Sequence, residues 1–107
     1  METKRHLDDC PIQPVVDIIS GKWTAYVLWE IYNGNNHYGS MARALPGISS
    51  RTLSTRLKML ESRGIITRTI FDTNPPTVAY KLTNKGNELA PILISMKEWS
   101  ERFKNGD

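Results

Sequence analysis

The sequence predicts a mainly helical α+β domain in which helices flank one β-hairpin. Three observations predict it. Leu53, Leu57 and Leu60 recur at helical spacing behind Ser49. The apolar period then falls to two over residues 66–83. Finally Leu89, Ile92, Met96, Trp99 and Phe103 form a seam with alternating spacings of three and four. The 107 residues make one domain, and with 39% hydrophobic residues the chain can build a core. A two-domain cofactor enzyme does not fit that length. A single cysteine excludes a disulfide scaffold, and three tryptophans argue against a disordered chain. No apolar run reaches the roughly 18 residues of a membrane span, and the polar start lacks a signal-peptide core, so a cytoplasmic protein is expected.

Taken in order, Pro14-Val15-Val16-Asp17-Ile18-Ile19-Ser20 reads as a short helix stopped by Gly21. Its start is open: Pro11 with Cys10 as cap, which presses Pro14 on the Cys10 carbonyl, or Pro14 itself. Residues 23–33 are apolar almost all round, which predicts a central buried helix with Trp23, Tyr26 and Trp29 in the core. The Asn33-Gly34-Asn35-Asn36 turn leads to a short helix from Tyr38 to Leu45, ended by Pro46-Gly47.

Ser49 is a good N-cap for the next helix, which runs over 49–63 to Gly64. Opposite its leucines lie Arg51, Thr55, Lys58 and Ser62, and its first three turns contain no carboxylate. Two β-rich runs, 66–71 and 78–83, surround the loop Asp72-Thr73-Asn74-Pro75-Pro76-Thr77, because adjacent prolines belong at a hairpin tip. Thr83 can cap the last helix, in which Pro91 predicts a kink or a fresh start and Leu93 widens the seam.

Charge is unevenly spread. Residues 37–85 hold eight Lys or Arg against two carboxylates, whereas residues 1–36 and 86–107 are both mildly acidic. Such a field attracts polyanions. Two helices joined by a tight turn, the second polar and basic and followed by a hairpin, form a winged helix-turn-helix. A helix of that kind fits the major groove, where Arg, Lys, Ser and Thr reach base edges and phosphates. The candidate double-stranded DNA contacts on it are Ser50, Arg51, Thr52, Ser54, Thr55 and Lys58. Arg56 lies on its core flank, where a structural bond to a carboxylate or carbonyl competes with a phosphate. Lys22 and Arg68 are further phosphate candidates, and Thr73, Asn74 and Thr77 lie where a wing meets the backbone or minor groove. The alternative is a winged helix that docks on proteins without binding DNA itself, but such a face is more apolar and aromatic. His6 and His37 have no partners at metal spacing, no nucleophile–base pair is visible, and no cofactor is expected.

The chain resembles the HxlR-type winged-helix transcription regulators of bacteria and archaea. The matching pieces are Cys10-Pro11, Gly21-Lys22-Trp23, Ile48-Ser49 through Leu53-Ser54, and Arg56-Leu57-Lys58-Met59-Leu60-Glu61 to Gly64. They continue with Pro75-Pro76-Thr77-Val78-Ala79-Tyr80-Lys81-Leu82-Thr83, Gly86 and Trp99. The chain departs from the usual pattern at His37-Tyr38 and Ser40-Met41, where Tyr38 keeps an aromatic core contact. The resemblance implies recognition through residues 49–63 and a homodimer built on the first and last helices, which become its N- and C-terminal dimerisation helices. On the last helix the interface candidates are Leu89, Ile92, Leu93, Met96, Trp99 and Phe103. It also implies that Cys10 stands where several relatives carry a redox- or electrophile-sensing thiol. Asp8 and Asp9 oppose thiolate formation there. A thiol-reactive or small-molecule effector is the expected further partner, and no membrane is.

Overall fold

The computed structural model describes residues 10–104. Five helices and one hairpin follow in the order α1 (Gln13–Ile19), α2 (Thr24–Tyr32), α3 (Tyr38–Ala44), α4 (Ser50–Ser62), β1 (Ile66–Phe71), β2 (Thr77–Leu82) and α5 (Asn84–Phe103). Each boundary has a local cause. Helix α1 begins next to Pro14 rather than at Pro11, which spares the Cys10 carbonyl a clash; that carbonyl instead accepts the Gln13 N–H at 2.9 Å. Gly21 leaves α1 at φ +89°, a conformation that costs a side chain. The Ser49 hydroxyl accepts the Thr52 N–H at the head of α4, and the Thr83 hydroxyl accepts the Gly86 N–H at the head of α5.

The core is one cluster. Val27, Leu28 and Ile31 of α2 meet Met41 of α3, Leu53, Leu57 and Leu60 of α4, Ile65, Ile66, and Leu89 and Leu93 of α5. Helix α2 is buried on one side only: Trp23 and Trp29 are half-buried and Tyr26 is 53% exposed, so Tyr26 is not the core residue its apolar neighbourhood suggested. Helix α5 runs through Pro91 without a fresh start. Pro91 and Asn87, whose carbonyl loses the helical partner, both lie on the exposed side, where the missing bond costs least.

The hairpin is antiparallel, with Ile66 opposite Leu82 and Phe71 opposite Thr77, so Thr77 is the first residue of β2 rather than part of the loop. Only Ile66 of β1 is buried. The alternation of Ile66, Arg68 and Ile70 therefore does not sort a buried face from a wet one. The strand leaves the core after its first residue, and the wing projects. At the wing's base the Ile65 carbonyl accepts the Thr83 N–H at 3.0 Å, and the Thr83 hydroxyl donates to the Gly64 carbonyl. Lys85 Nζ donates to the Arg63 carbonyl at 3.0 Å. This knot joins the end of α4, the hairpin and the start of α5.

Candidate nucleic-acid interface

The three leucines of α4 are nearly inaccessible, which fixes the opposite face outward. Arg51, Thr55 and Lys58 are all exposed there, at helical spacings of four and three. Ser50 is exposed at the first position of the helix. Thr52 is half-buried and committed to the cap, its Oγ1 receiving the Ser49 hydroxyl at 2.9 Å. Ser54 is half-buried and shares a hydrogen bond with the Tyr38 hydroxyl at 3.1 Å; Tyr38 also donates to the Ser50 carbonyl at 3.1 Å. Tyr38 thus fastens α3 to the first turn of α4. The family resemblance implies only an aromatic core contact for Tyr38, and its spacing to Ser54 carries no signal for this bond.

Arg56 turns away from the Arg51–Lys58 face. Its guanidinium lies over the α1–α2 turn, with Nη2 3.0 Å from where a Cβ on Gly21 would stand. Its Nε is buried without a hydrogen-bond partner among the described residues, so neither a carboxylate nor a carbonyl holds that atom. Lys22 beside it is exposed, its Nζ 5.1 Å from the centre of the Trp23 ring. The Trp23 ring in turn faces Gly47 in the α3–α4 turn. Lys22 and Arg56 therefore form a second basic spot at the flank of α4.

On the wing, Arg68 is exposed opposite Tyr80. Burial pushes the Tyr80 phenol above its ordinary value, and the Arg68 guanidinium partly offsets this. At the tip, the Thr73 hydroxyl donates to the Pro75 carbonyl at 2.7 Å and lies 3.4 Å from the Thr77 hydroxyl, which leaves Asn74 exposed beside them. The seam on α5 divides: Leu89 and Leu93 are buried within the protomer, while Ile92, Met96, Trp99 and Phe103 are exposed. Leu89 and Leu93 thus pack the chain's own core, with Leu93 also walling a groove between α2 and α5. Cys10 is half-buried at the turn before α1.

A capped basic-faced helix behind a tight turn, with an adjoining hairpin and a long closing helix, defines a winged helix-turn-helix. Residues 18–107 match the model of the HxlR-like helix-turn-helix family, and the chain belongs to that family. It is 44% identical over 97 residues to the Synechocystis HTH-type transcriptional regulator sll1512, covering 87% of this chain and 72% of that one. It is 35% identical to the Bacillus subtilis HTH-type transcriptional regulator YdeP, covering 92% and 77% respectively. Among solved structures it is similar to the redox regulator HypR in its reduced form, with a TM-score of 0.83 at 34% identity over 89% of this chain and 94% of that one. The diamide-treated YodB of Bacillus subtilis gives 0.72 at 27% identity over 92% and 97%. The protein is a transcriptional regulator of the winged helix-turn-helix type.

Proposed function

We propose that the protein is a cytoplasmic homodimer that binds a two-fold symmetric operator and reads its sequence through α4. The observation that carries this is the exposed row Arg51, Thr55 and Lys58 on a helix whose other face is locked into the core. Such a row presents donors to base edges and phosphates, with no apolar patch of the kind a protein-docking helix needs. Two copies related by a two-fold axis would set their α4 helices in major grooves about one turn, ~34 Å, apart or a multiple of it. Lys22, Arg56 and Arg68 flank the row as phosphate contacts, and Thr73, Asn74 and Thr77 bring the wing to the backbone.

The dimer is supported by the exposed stripe on α5. It adjoins a groove of about 340 Å³ between α2 and α5, walled by Tyr26, Trp29, Leu93 and Met96. Apolar surface of that extent on so small a domain marks an interface.

The test is selection of bound fragments from random duplex DNA, by wild type and by Arg51→Ala. The wild type is expected to enrich a palindrome. Arg51→Ala is expected to lose about 1–3 kcal/mol of binding free energy and relax preference at one position in each half-site. An Arg51→Ala protein that keeps both affinity and preferred sequence would remove α4 from the reading role.

Cys10 is the thiol through which oxidants or electrophiles act in this reading. The similarity to regulators solved in reduced, oxidised and diamide-treated forms supports it, as does the place of Cys10 before α1, away from α4. With one cysteine in the chain, the products are a Cys10–Cys10 bridge between subunits, a mixed disulfide or an adduct. Diamide is expected to change DNA affinity of the wild type and leave Cys10→Ser unaltered. An equal response of the two proteins would move the signal elsewhere, to a small molecule held between the first and last helices.

A further inference from the structure

We infer that the outer edge of β1 is a self-pairing surface, through which the wings of two copies of this chain join edge to edge about a two-fold axis at Ile70. The inference concerns the wing alone and does not rest on the DNA-binding reading.

The two edges of the hairpin differ. The Tyr80 N–H of β2 points away from β1 and donates to the Asn36 carbonyl at 2.8 Å, and His37 bridges Ala79 beside it. The edge of β2 is thereby covered. In an antiparallel ladder, two opposite residues turn their N–H and C=O groups either toward each other or both away. Tyr80 pairs with Arg68 and turns away, so Arg68 turns away on the other side of the hairpin. The same alternation turns Ile70 outward opposite Val78. The Thr83 N–H, which reaches the Ile65 carbonyl at 3.0 Å, fixes that alternation from the base of the wing as well. Among the described residues no strand or bridge pairs with the outer edge of β1. Every residue from Thr67 to Asp72 is exposed, Ile70 at 58%.

Open edges are ordinarily guarded by repelling charge, by proline or by a bulge. This edge carries a self-complementary pattern instead. In Arg68-Thr69-Ile70-Phe71-Asp72 a positive and a negative residue stand two positions either side of Ile70. A two-fold axis at Ile70 sets Arg68 of each copy opposite Asp72 of the other, on the face that carries both Ile70 side chains. The two Ile70 residues then exchange both backbone hydrogen bonds. Ile70 also lies opposite the half-buried Val78 in its own hairpin, so an apolar row of Val78, Ile70, Ile70 and Val78 crosses all four strands. An axis at Arg68 would set arginine against arginine, and one at Thr69 would set Asp72 against the buried Ile66. Charge therefore selects the Ile70 register, and the complement of the segment is the segment itself. Among the described residues neither Arg68 nor Asp72 has an ion-pair partner in its own chain, which leaves both charges available. On DNA, Arg68 is offered to phosphate instead, so the duplex and the second wing compete for it.

Sedimentation equilibrium under reducing conditions, from about 10 μM to about 500 μM protein, tests the pairing. The wild type is expected to show a further association step in this range, above the micromolar step assigned to α5. Arg68→Asp and Asp72→Arg each set like charges opposite each other at two places, and each is expected to weaken the further step about tenfold or more. The two changes move the net charge in opposite directions, so a loss in both is not an effect of net charge. Arg68→Asp combined with Asp72→Arg is expected to restore the step. All these positions are exposed, and circular dichroism checks that each variant is folded. A wild type with no further step, single variants that associate like wild type, or a folded double variant that does not recover would each overturn the pairing. The α5 step is read separately in the same data, so the proposed dimer stands or falls independently.

Discussion

Gly86→Ala is expected to destabilise the domain by about 3 kcal/mol or more, a large share of the stability of a chain this size. Gly86 lies in the first turn of α5, where the helix passes directly over the Ile65 carbonyl; a Cβ there would overlap that oxygen. The oxygen cannot yield, because it accepts the Thr83 N–H and sits beside the Thr83 hydroxyl at 3.2 Å, so both ends of the wing are fixed to it. Moving α5 outward instead would unseat Leu89 and Leu93 from the core. Urea unfolding followed by circular dichroism reads the shift in midpoint. Gly39→Ala is the matched control: it too is helical, but a methyl there meets only the flexible end of Arg43. That variant is expected to gain up to about 1 kcal/mol from helix propensity. Equal stability of the Gly86→Ala protein and wild type would show that the α5–Ile65 approach is not tight.

The second large effect concerns assembly. In the proposed dimer, Trp99→Ala combined with Met96→Ala is expected to shift the protein to monomer at micromolar concentrations, and to weaken binding to the proposed operator about 100-fold or more as the two α4 helices lose their tether. Trp99 is 59% exposed in the protomer and packs at a tilt against Phe103 with centroids 5.1 Å apart, so truncation removes surface without opening the core. Sedimentation velocity separates the states, and thermal unfolding shows that the variant remains folded. A wild type that sediments as a monomer would remove the dimer from the proposed function.

Much of the fold was legible because its signals are local. Ser49 and Thr83 are short hydroxyl residues placed directly before helical patterns, and both cap as expected. The leucines of α4 need only helical geometry to define the outward Arg51–Lys58 row. What could not be read depends on how elements meet. On α5, Ile92, Met96, Trp99 and Phe103 form one stripe, while Leu89, Leu93, Gly86 and Ala90 form another roughly 100° round the helix. A 3-4 spacing merges the two, and only the docking of α5 on the core shows which faces inward. Arg56 and Ser54 have the chemistry of DNA contacts, but that Arg56 reaches over Gly21 to the flank and that Ser54 shares a hydrogen bond with Tyr38 depends on how the elements meet. The wing's projection likewise depends on where the core ends, which strand alternation cannot tell.

The outer half of the hairpin is a cassette. The wing is fastened at its base by the Thr83 knot and again along β2, where the Asn36 carbonyl accepts the Tyr80 N–H at 2.8 Å and His37 bridges Ala79, whereas the tip over residues 72–76 hydrogen-bonds only within the hairpin among the described residues. Lengthening, shortening or recharging that tip therefore leaves the fastening unaltered. A lineage can reshape how far the wing reaches along a duplex without renegotiating the stability of the body that carries it.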